Sequence, residues 1–268
     1  MNDAQIAGTA CVLLFFGMLL LTFAGYRLGR RQLERTDESW PTGVGPVEGA
    51  VFALLGLLTA FTFSGAYARL DARRQLIVHE TNAIGTAYLR LDLLPGAAQP
   101  QLRERFLEYV DSRATFFLKL NEPDAGRAEL NRAATLQSEI WAQVVTASTG
   151  EGLQSARMLL FPALNEMIDI TTTREVAANT HPPLLIFGLL FALALACAVL
   201  TGHAMAKSTN LSLMHVVGFA TVIAVTFYVI LDMEYPRSGL IRLDTSNQLL
   251  LELRHQLERV GAARVARQ

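Results

Sequence analysis

Charge is scarce in this 268-residue chain. Asp, Glu, Lys and Arg together make up 18% of it, against about 25% in an average soluble domain. Neither sign is in excess, since 23 basic residues meet 24 acidic ones for a net charge of −1. Nucleic-acid partners call for a basic surplus, so none is expected. Cysteine is scarcer still: Cys11 and Cys197 are the two present, too few for a disulfide scaffold. Each lies in an apolar run, where a thiol reads as a small hydrophobe. Catalytic patterns are missing as well. There is no G-x-S-x-G, P-loop, dinucleotide fingerprint or paired-carboxylate motif, so no enzyme is expected. His79-Glu80-Thr81-Asn82-Ala83 begins like a zinc-binding H-E-x-x-H, but Ala83 stands where the second His must be. One His leaves zinc short of ligands, and the patch reads as polar helix packing. No metal and no cofactor are expected.

Apolar residues are what the chain has most of, at 51%, which excludes a disordered polymer. Residues 4–26, 49–68, 182–202 and 211–231 contain no Asp, Glu, Lys or Arg. Each spans about 30 Å as a helix, the thickness of the hydrocarbon core. The expectation is an all-α protein with four transmembrane helices and a helical domain inserted between spans two and three. Its parts are a transmembrane hairpin (1–70), an extramembrane helical domain (71–181), a second hairpin (182–234) and a C-terminal turn with an amphipathic helix (235–268). The first run is preceded by Asp3 and by no Lys or Arg and is too long for a signal-peptide core, so it is read as a span.

The joins between these parts can be read from local signals. Trp40-Pro41 and the turn-rich segment 42–46 link spans one and two. No Gly or Pro separates span two from Arg69-Leu70-Asp71-Ala72-Arg73-Arg74, so one helix should continue to about Leu94, where Pro95-Gly96 stops it. The inserted domain then shows three stripes at helical spacing. The first holds Leu102, Phe106, Tyr109/Val110 and Phe117. The second holds Leu130, Ala134, Gln137, Ile140/Trp141 and Val144. The third holds Leu153, Ala156, Leu160, Ala163, Met167 and Ile170, with Pro162 as a candidate kink. Breaks are expected at Asn121-Glu122-Pro123-Asp124 and at Ser148-Thr149-Gly150, with Gly150-Glu151-Gly152 a turn. His181-Pro182-Pro183 marks entry into span three, and the short loop 204–210 makes spans three and four a hairpin. His203 and His215 fall near span ends and read as hydrogen-bonded interface residues.

Small residues recur every fourth position in span two, at Gly56, Ala60, Ser64 and Ala68. Such a stripe lets helices approach closely in lipid, which marks it as a helix interface. Charge gives a divided answer on orientation. Arg27, Arg30, Arg31 and Arg35 follow span one, and Arg69, Arg73 and Arg74 follow span two. The positive-inside rule cannot satisfy both, and charge alone leans slightly toward an N-terminus outside.

The segment from Leu55 to Leu76, with Phe61-Thr62-Phe63-Ser64-Gly65-Ala66-Tyr67-Ala68-Arg69 at its centre, resembles the second transmembrane helix of bestrophins. There too an apolar, Phe-containing span runs through small residues, Tyr and Arg into a basic helix. The order of two spans, helical region, two spans and tail matches as well. Glu80-Thr81-Asn82-Ala83-Ile84-Gly85-Thr86-Ala87-Tyr88-Leu89-Arg90 is similar to the bacterial bestrophin-like proteins. The resemblance implies a homopentameric channel for small ions, anions foremost, in a bacterial inner membrane, with its helical domain and both termini in the cytosol. It implies a pore neck at Ala53, Leu57 and Phe61, widened at Ala53, and a pore mouth ringed by Arg69, Arg73 and Arg74. Membrane lipids, small inorganic ions and further copies of the chain would be its partners. Animal bestrophins bind Ca²⁺ through acidic residues after the fourth span. Here Asp232, Glu234 and Asp244 are scattered around Pro236-Arg237-Ser238-Gly239, too thin a set for Ca²⁺, and read as a charged surface turn.

Two rivals remain. A non-conducting membrane protein whose helical domain senses or binds a partner also needs long helices and no catalytic set. A transporter fits less well, because the spans show no inverted repeat or paired broken helices.

Overall fold

Apolar helices in lipid satisfy every backbone group internally, and in the computed structural model the described residues of the four apolar runs are helical, apart from Pro182, Pro183 and Ser212. It describes residues 3–35, 44–119, 122–208, 212–236, 239–241 and 244–265. The loop at Trp40-Pro41, Asn121, residues 209–211 and Arg237-Ser238 lie outside the described residues, as do the side chains of Phe117 and Asp244. The described residues hold no strand. They form α1 (Asp3–Arg35), α2 (Val44–Arg90), α3 (Gln99–Leu118), α4 (Pro123–Ala147), α5 (Gln154–Asn179), α6 (Leu184–Met205), α7 (Leu213–Glu234) and α8 (Asp244–Val265). Among the described residues four helical segments, Gln5–Arg35, Gly45–Leu93, Gln154–Met205 and Leu213–Glu234, are long and apolar enough to cross a membrane. The chain divides into two units: Met1–Leu70 with His181–Ile241, and Asp71–Thr180 with Arg242–Gln268.

The element boundaries follow local chemistry. α2 runs 47 residues, then tightens into a 3₁₀ turn over Leu91–Leu93. Leu94, held extended at φ −89° and ψ 158°, shows the restriction that Pro95 places on the residue before it. α4 opens on Pro123, where a missing N–H costs nothing. The turn before α5 needs Gly152 at φ +84°, a region open to glycine. α5 continues unbroken through Pro162.

In the first unit α1 and α6 lie parallel, and their backbones nearly touch. A Cβ on Gly202 of α6 would run into the Thr22 carbonyl of α1 and sit 2.8 Å from the Tyr26 nitrogen. A Cβ on Gly25 would collide with the Val199 carbonyl, and one on Gly29 would come 2.5 Å from the Ala206 methyl. Gly25-x-x-x-Gly29 facing Gly202 is therefore the small-residue contact that seats α1 on α6. Cys11 and Cys197 are both buried as small packing residues. α7 joins through Phe191–Phe227 at 5.4 Å and meets α2 through Phe52–Phe219 at 5.9 Å. At the polar end of α6, the His203 ring nitrogen is 3.1 Å from Gln32. In α7, His215 is 2.6 Å from the Ser212 hydroxyl.

The second unit is a water-soluble type of core. Leu102, Phe106, Tyr109 and Val110 of α3 are fully enclosed, as are Leu160, Leu164 and Met167 of α5. The Tyr88 ring meets Phe106 edge-on at 5.8 Å and donates its hydroxyl to the Leu257 carbonyl of α8 at 3.1 Å. The buried stripe of α4 differs from the expected one. Ala133, Leu136, Ile140 and Val144 point inward while Ala134 is exposed. Counted back from Val144 and Ile140, either 136 or 137 can take the next buried position, and the larger apolar gain of Leu136 over Gln137 settles the rotation. Gln137 sits at the rim and donates to the Tyr109 hydroxyl at 3.0 Å.

The α1–α6 contact gives a direct test. Gly202→Ala forces two backbones apart, an overpacking cost of about 1–3 kcal/mol, and the purified protein should melt several degrees lower in detergent. Gly188→Ala on the same helix, with nothing within 4 Å of the added carbon, should melt as wild type does. Equal melting of the two variants would contradict the close approach.

Candidate functional site

α2 carries the residues singled out for function, and it is the least covered of the four spans. In its most apolar window 11% of residues are buried, against 28% in each of the other three. Ala53, Leu57 and Phe61, one above another at spacing four, all face outward, with Leu57 53% and Phe61 66% exposed. Gly56, Ala60, Ser64 and Ala68 lie one position round the helix and are exposed too. Among the described residues neither stripe is covered. Leu55, Ala66 and Leu70 mark the buried side of this stretch.

The three arginines at the end of this span have three different environments. Arg69 donates through Nε to both oxygens of Glu234, at 2.5 and 3.1 Å. Glu234 has no exposed surface, so the pair is desolvated on the carboxylate side. Arg73 is buried and donates to the carbonyls of Ala177 and Thr180, both at 3.0 Å, tying the inserted domain's own helix ends together. Arg74 is half-buried and has no ion pair among the described residues. Asp71, the neighbouring acid, accepts from Gln75 instead of pairing with an arginine. Arg69 is thus paired with a carboxylate and Arg73 with backbone carbonyls, while Arg74 has neither kind of partner among the described residues.

Glu234 and Asp232 overturn the expectation of a charged surface turn. Both are buried. The Asp232 carboxylate accepts the backbone N–H groups of Leu240 and Ile241 at 3.1 and 2.7 Å. A side chain at Gly239 would strike that carboxylate, so the turn closes over it. With its oxygens engaged by amides and Glu234 engaged by Arg69, this pair is a structural clamp. Among the described residues no group of three or more His, Cys, Asp or Glu could hold a metal ion.

A second charge cluster escaped the sequence reading. Glu80 is fully buried and takes Arg113 of α3 on one carboxylate oxygen, at 2.6 Å, and Arg174 of α5 on the other. Burial lowers both guanidinium pKa values, Arg174's to about 9, and the carboxylate between them favours the charged forms. Burial also raises the Tyr109 hydroxyl beside Arg113. His79, next in sequence, instead faces water and pairs with Glu166 at 2.8 Å, both about half exposed. A signal for Glu80 existed. Arg73, Ile77, Glu80, Ile84, Ala87 and Leu91 recur at alternating steps of four and three, so the one acid in that stripe sits where only a core residue can.

Removing one partner of a buried ion cluster typically costs about 3–5 kcal/mol, because the remaining charges stay desolvated and unpaired. Glu80→Gln should therefore sharply lower the melting temperature of the full-length protein. His79→Gln, at an exposed neighbour, should stay within about 0.5 kcal/mol of wild type. A Glu80→Gln protein as stable as wild type would contradict the cluster.

Comparison with known proteins bears on this geometry. The family model described as a Bestrophin-like domain matches residues 12–248. A bacterial bestrophin homologue from Klebsiella pneumoniae, solved as a tryptophan-to-alanine variant, superposes with a TM-score of 0.67 at 14% identity, covering 95% of this chain and 97% of that one. An isoleucine-to-threonine variant of a Klebsiella pneumoniae homologue gives a TM-score of 0.65 at 15% identity, covering 91% of this chain and 99% of the other. No curated protein sequence matches the chain. At such low identity the structural likeness establishes the fold, and the family model, spanning most of the sequence, establishes kinship. The chain belongs to the bestrophin-like family.

Proposed function

We propose that the chain is one subunit of a homopentameric ion channel that conducts small ions, anions foremost, through an axial pore lined by α2. The observation that carries this reading is the uncovered face of α2. On the least buried span, Leu57 and Phe61 project bulky side chains that nothing in the protomer covers. In a family whose members the sequence resemblance describes as pentameric channels, that face belongs on the axis. Five copies of Phe61 at one level make a narrow apolar ring that gates by dewetting. The electropositive edges of the rings suit an anion. Ala53 leaves the outer turn of the neck wider. Gly56, Ala60, Ser64 and Ala68, on the adjoining face, would take the neighbouring subunit's helix at close range. At the mouth the reading rests on Arg74, since Arg69 and Arg73 are engaged by Glu234 and by backbone carbonyls. The chain would sit in the bacterial inner membrane among its lipids, with the helical domain in the cytosol.

The test is Phe61→Ala, reconstituted in liposomes. Truncating an exposed side chain costs the protomer little, so the variant should assemble and melt as wild type does. Removing five rings from the neck widens and wets it, so ion flux should rise severalfold. A well-assembled Phe61→Ala protein with wild-type flux would remove Phe61 from the pore.

A further inference from the structure

The basic end of α1 is outside the pore reading, and it has a face of its own. Leu13, Phe16, Leu20 and Phe23 recur at helical spacing along α1 and are between 47% and 68% exposed. The same line continues into Arg27, Arg31 and Arg35, with Arg30 beside them, all exposed. Glu34 is the one acid among residues 27–35. The change from apolar to cationic takes place within a single turn. There the Arg27 guanidinium lies over the Phe23 ring at 4.4 Å from its centroid. The seam with α6 is elsewhere on the helix, at Gly25 and Gly29, so packing inside the unit leaves this stripe uncovered.

We infer that this face of α1 is a binding site for an anionic phospholipid, with acyl chains along Leu13–Phe23 and the headgroup phosphate held by Arg27, Arg31 and Arg35. Two matches choose the lipid as occupant. The first is charge: three guanidiniums at steps of four line one side of the helix and offer forked donors to phosphate oxygens. The second is order and length. Leu13 to Arg27 is 14 residues, about 21 Å along a helix, close to the roughly 20–22 Å depth of one leaflet with its headgroups. A free phosphate would use the arginines and leave the aromatic and leucine stripe idle, whereas a phospholipid uses both halves at once. A zwitterionic lipid fills the apolar half equally well and gains less from the cations. The site does not depend on which way the chain is oriented or on whether α2 conducts.

The experiment uses full-length protein in an uncharged detergent, titrated with phosphatidylglycerol, phosphatidylcholine or inorganic phosphate, with bound lipid counted by native mass spectrometry. Phosphatidylglycerol should bind at least about tenfold more tightly than phosphatidylcholine, and the difference should shrink at high salt. Each basic residue near an anionic lipid surface is worth about fivefold. Arg31→Gln alone should thus weaken phosphatidylglycerol about fivefold, and Arg27→Gln, Arg31→Gln and Arg35→Gln together on the order of a hundredfold. The same charge change at exposed Arg127, Arg132 and Arg259 should leave affinity unchanged. Replacing the three α1 arginines with lysine should retain most of the binding. Equal affinity for the two lipids, equal loss in the control variant, or inorganic phosphate displacing the lipid completely would each overturn the site.

Discussion

Inside the helical domain, the interaction on which the surrounding packing depends is the Glu80 carboxylate between two guanidiniums. A single carboxylate taken fully out of water is very costly, and so is each arginine beside it. Three helices meet this cost together: α2 supplies the acid, α3 supplies Arg113 and α5 supplies Arg174. The arrangement holds only when all three are in register, because a shift of either partner leaves a buried charge without a counterpart. Apolar neighbours such as Ile77, Ile84 and Phe106 tolerate small slips at modest cost; the ion cluster does not. It specifies which face of α2 the domain uses.

The membrane unit is organised by a different force. Lipid tails are as apolar as leucine, so helices there gain little by hiding hydrophobic surface from one another and associate through close van der Waals contact. Gly25, Gly29 and Gly202 provide that contact between α1 and α6. α2 has no such contact within the protomer. Its polar attachment comes at its end, where Arg69 meets Glu234 of α7. The result is a span tied by an ion pair at one end and by Phe52–Phe219 near the other, with most of the residues between uncovered.

The sequence made the large features legible because their signals are redundant. Four long uncharged runs, the lack of Gly and Pro from Arg69 to Arg74, and the Leu94-Pro95-Gly96 stop each point to one reading, and family kinship was visible in the stretch around Phe61–Arg69. Finer features were lost where two readings have nearly equal local support. Leu136 and Gln137 compete for one buried position on α4, and only contact with α3 decides. Asp232 and Glu234 look like surface acids, because nothing nearby in sequence reveals that Arg69, 165 residues away, and the amides of a later turn will cover them. The small-residue stripe at Gly56–Ala68 stands out by its regular spacing, while Gly25 and Gly29, which the α1–α6 contact uses, do not, because the Val199–Ala206 stretch they meet is far along the chain. Glu80 was read as a packing patch for want of a visible partner. In each case the missing information is a long-range pairing.

The central claim of the proposed function is that α2 lines a conducting path. The most direct measurement is planar-bilayer recording of the purified wild-type protein under asymmetric KCl, on material whose mass in detergent corresponds to five protomers. The account predicts discrete single-channel steps that reverse toward the chloride equilibrium potential. Reconstituted pentamers that pass no more current than a protein-free bilayer would contradict it.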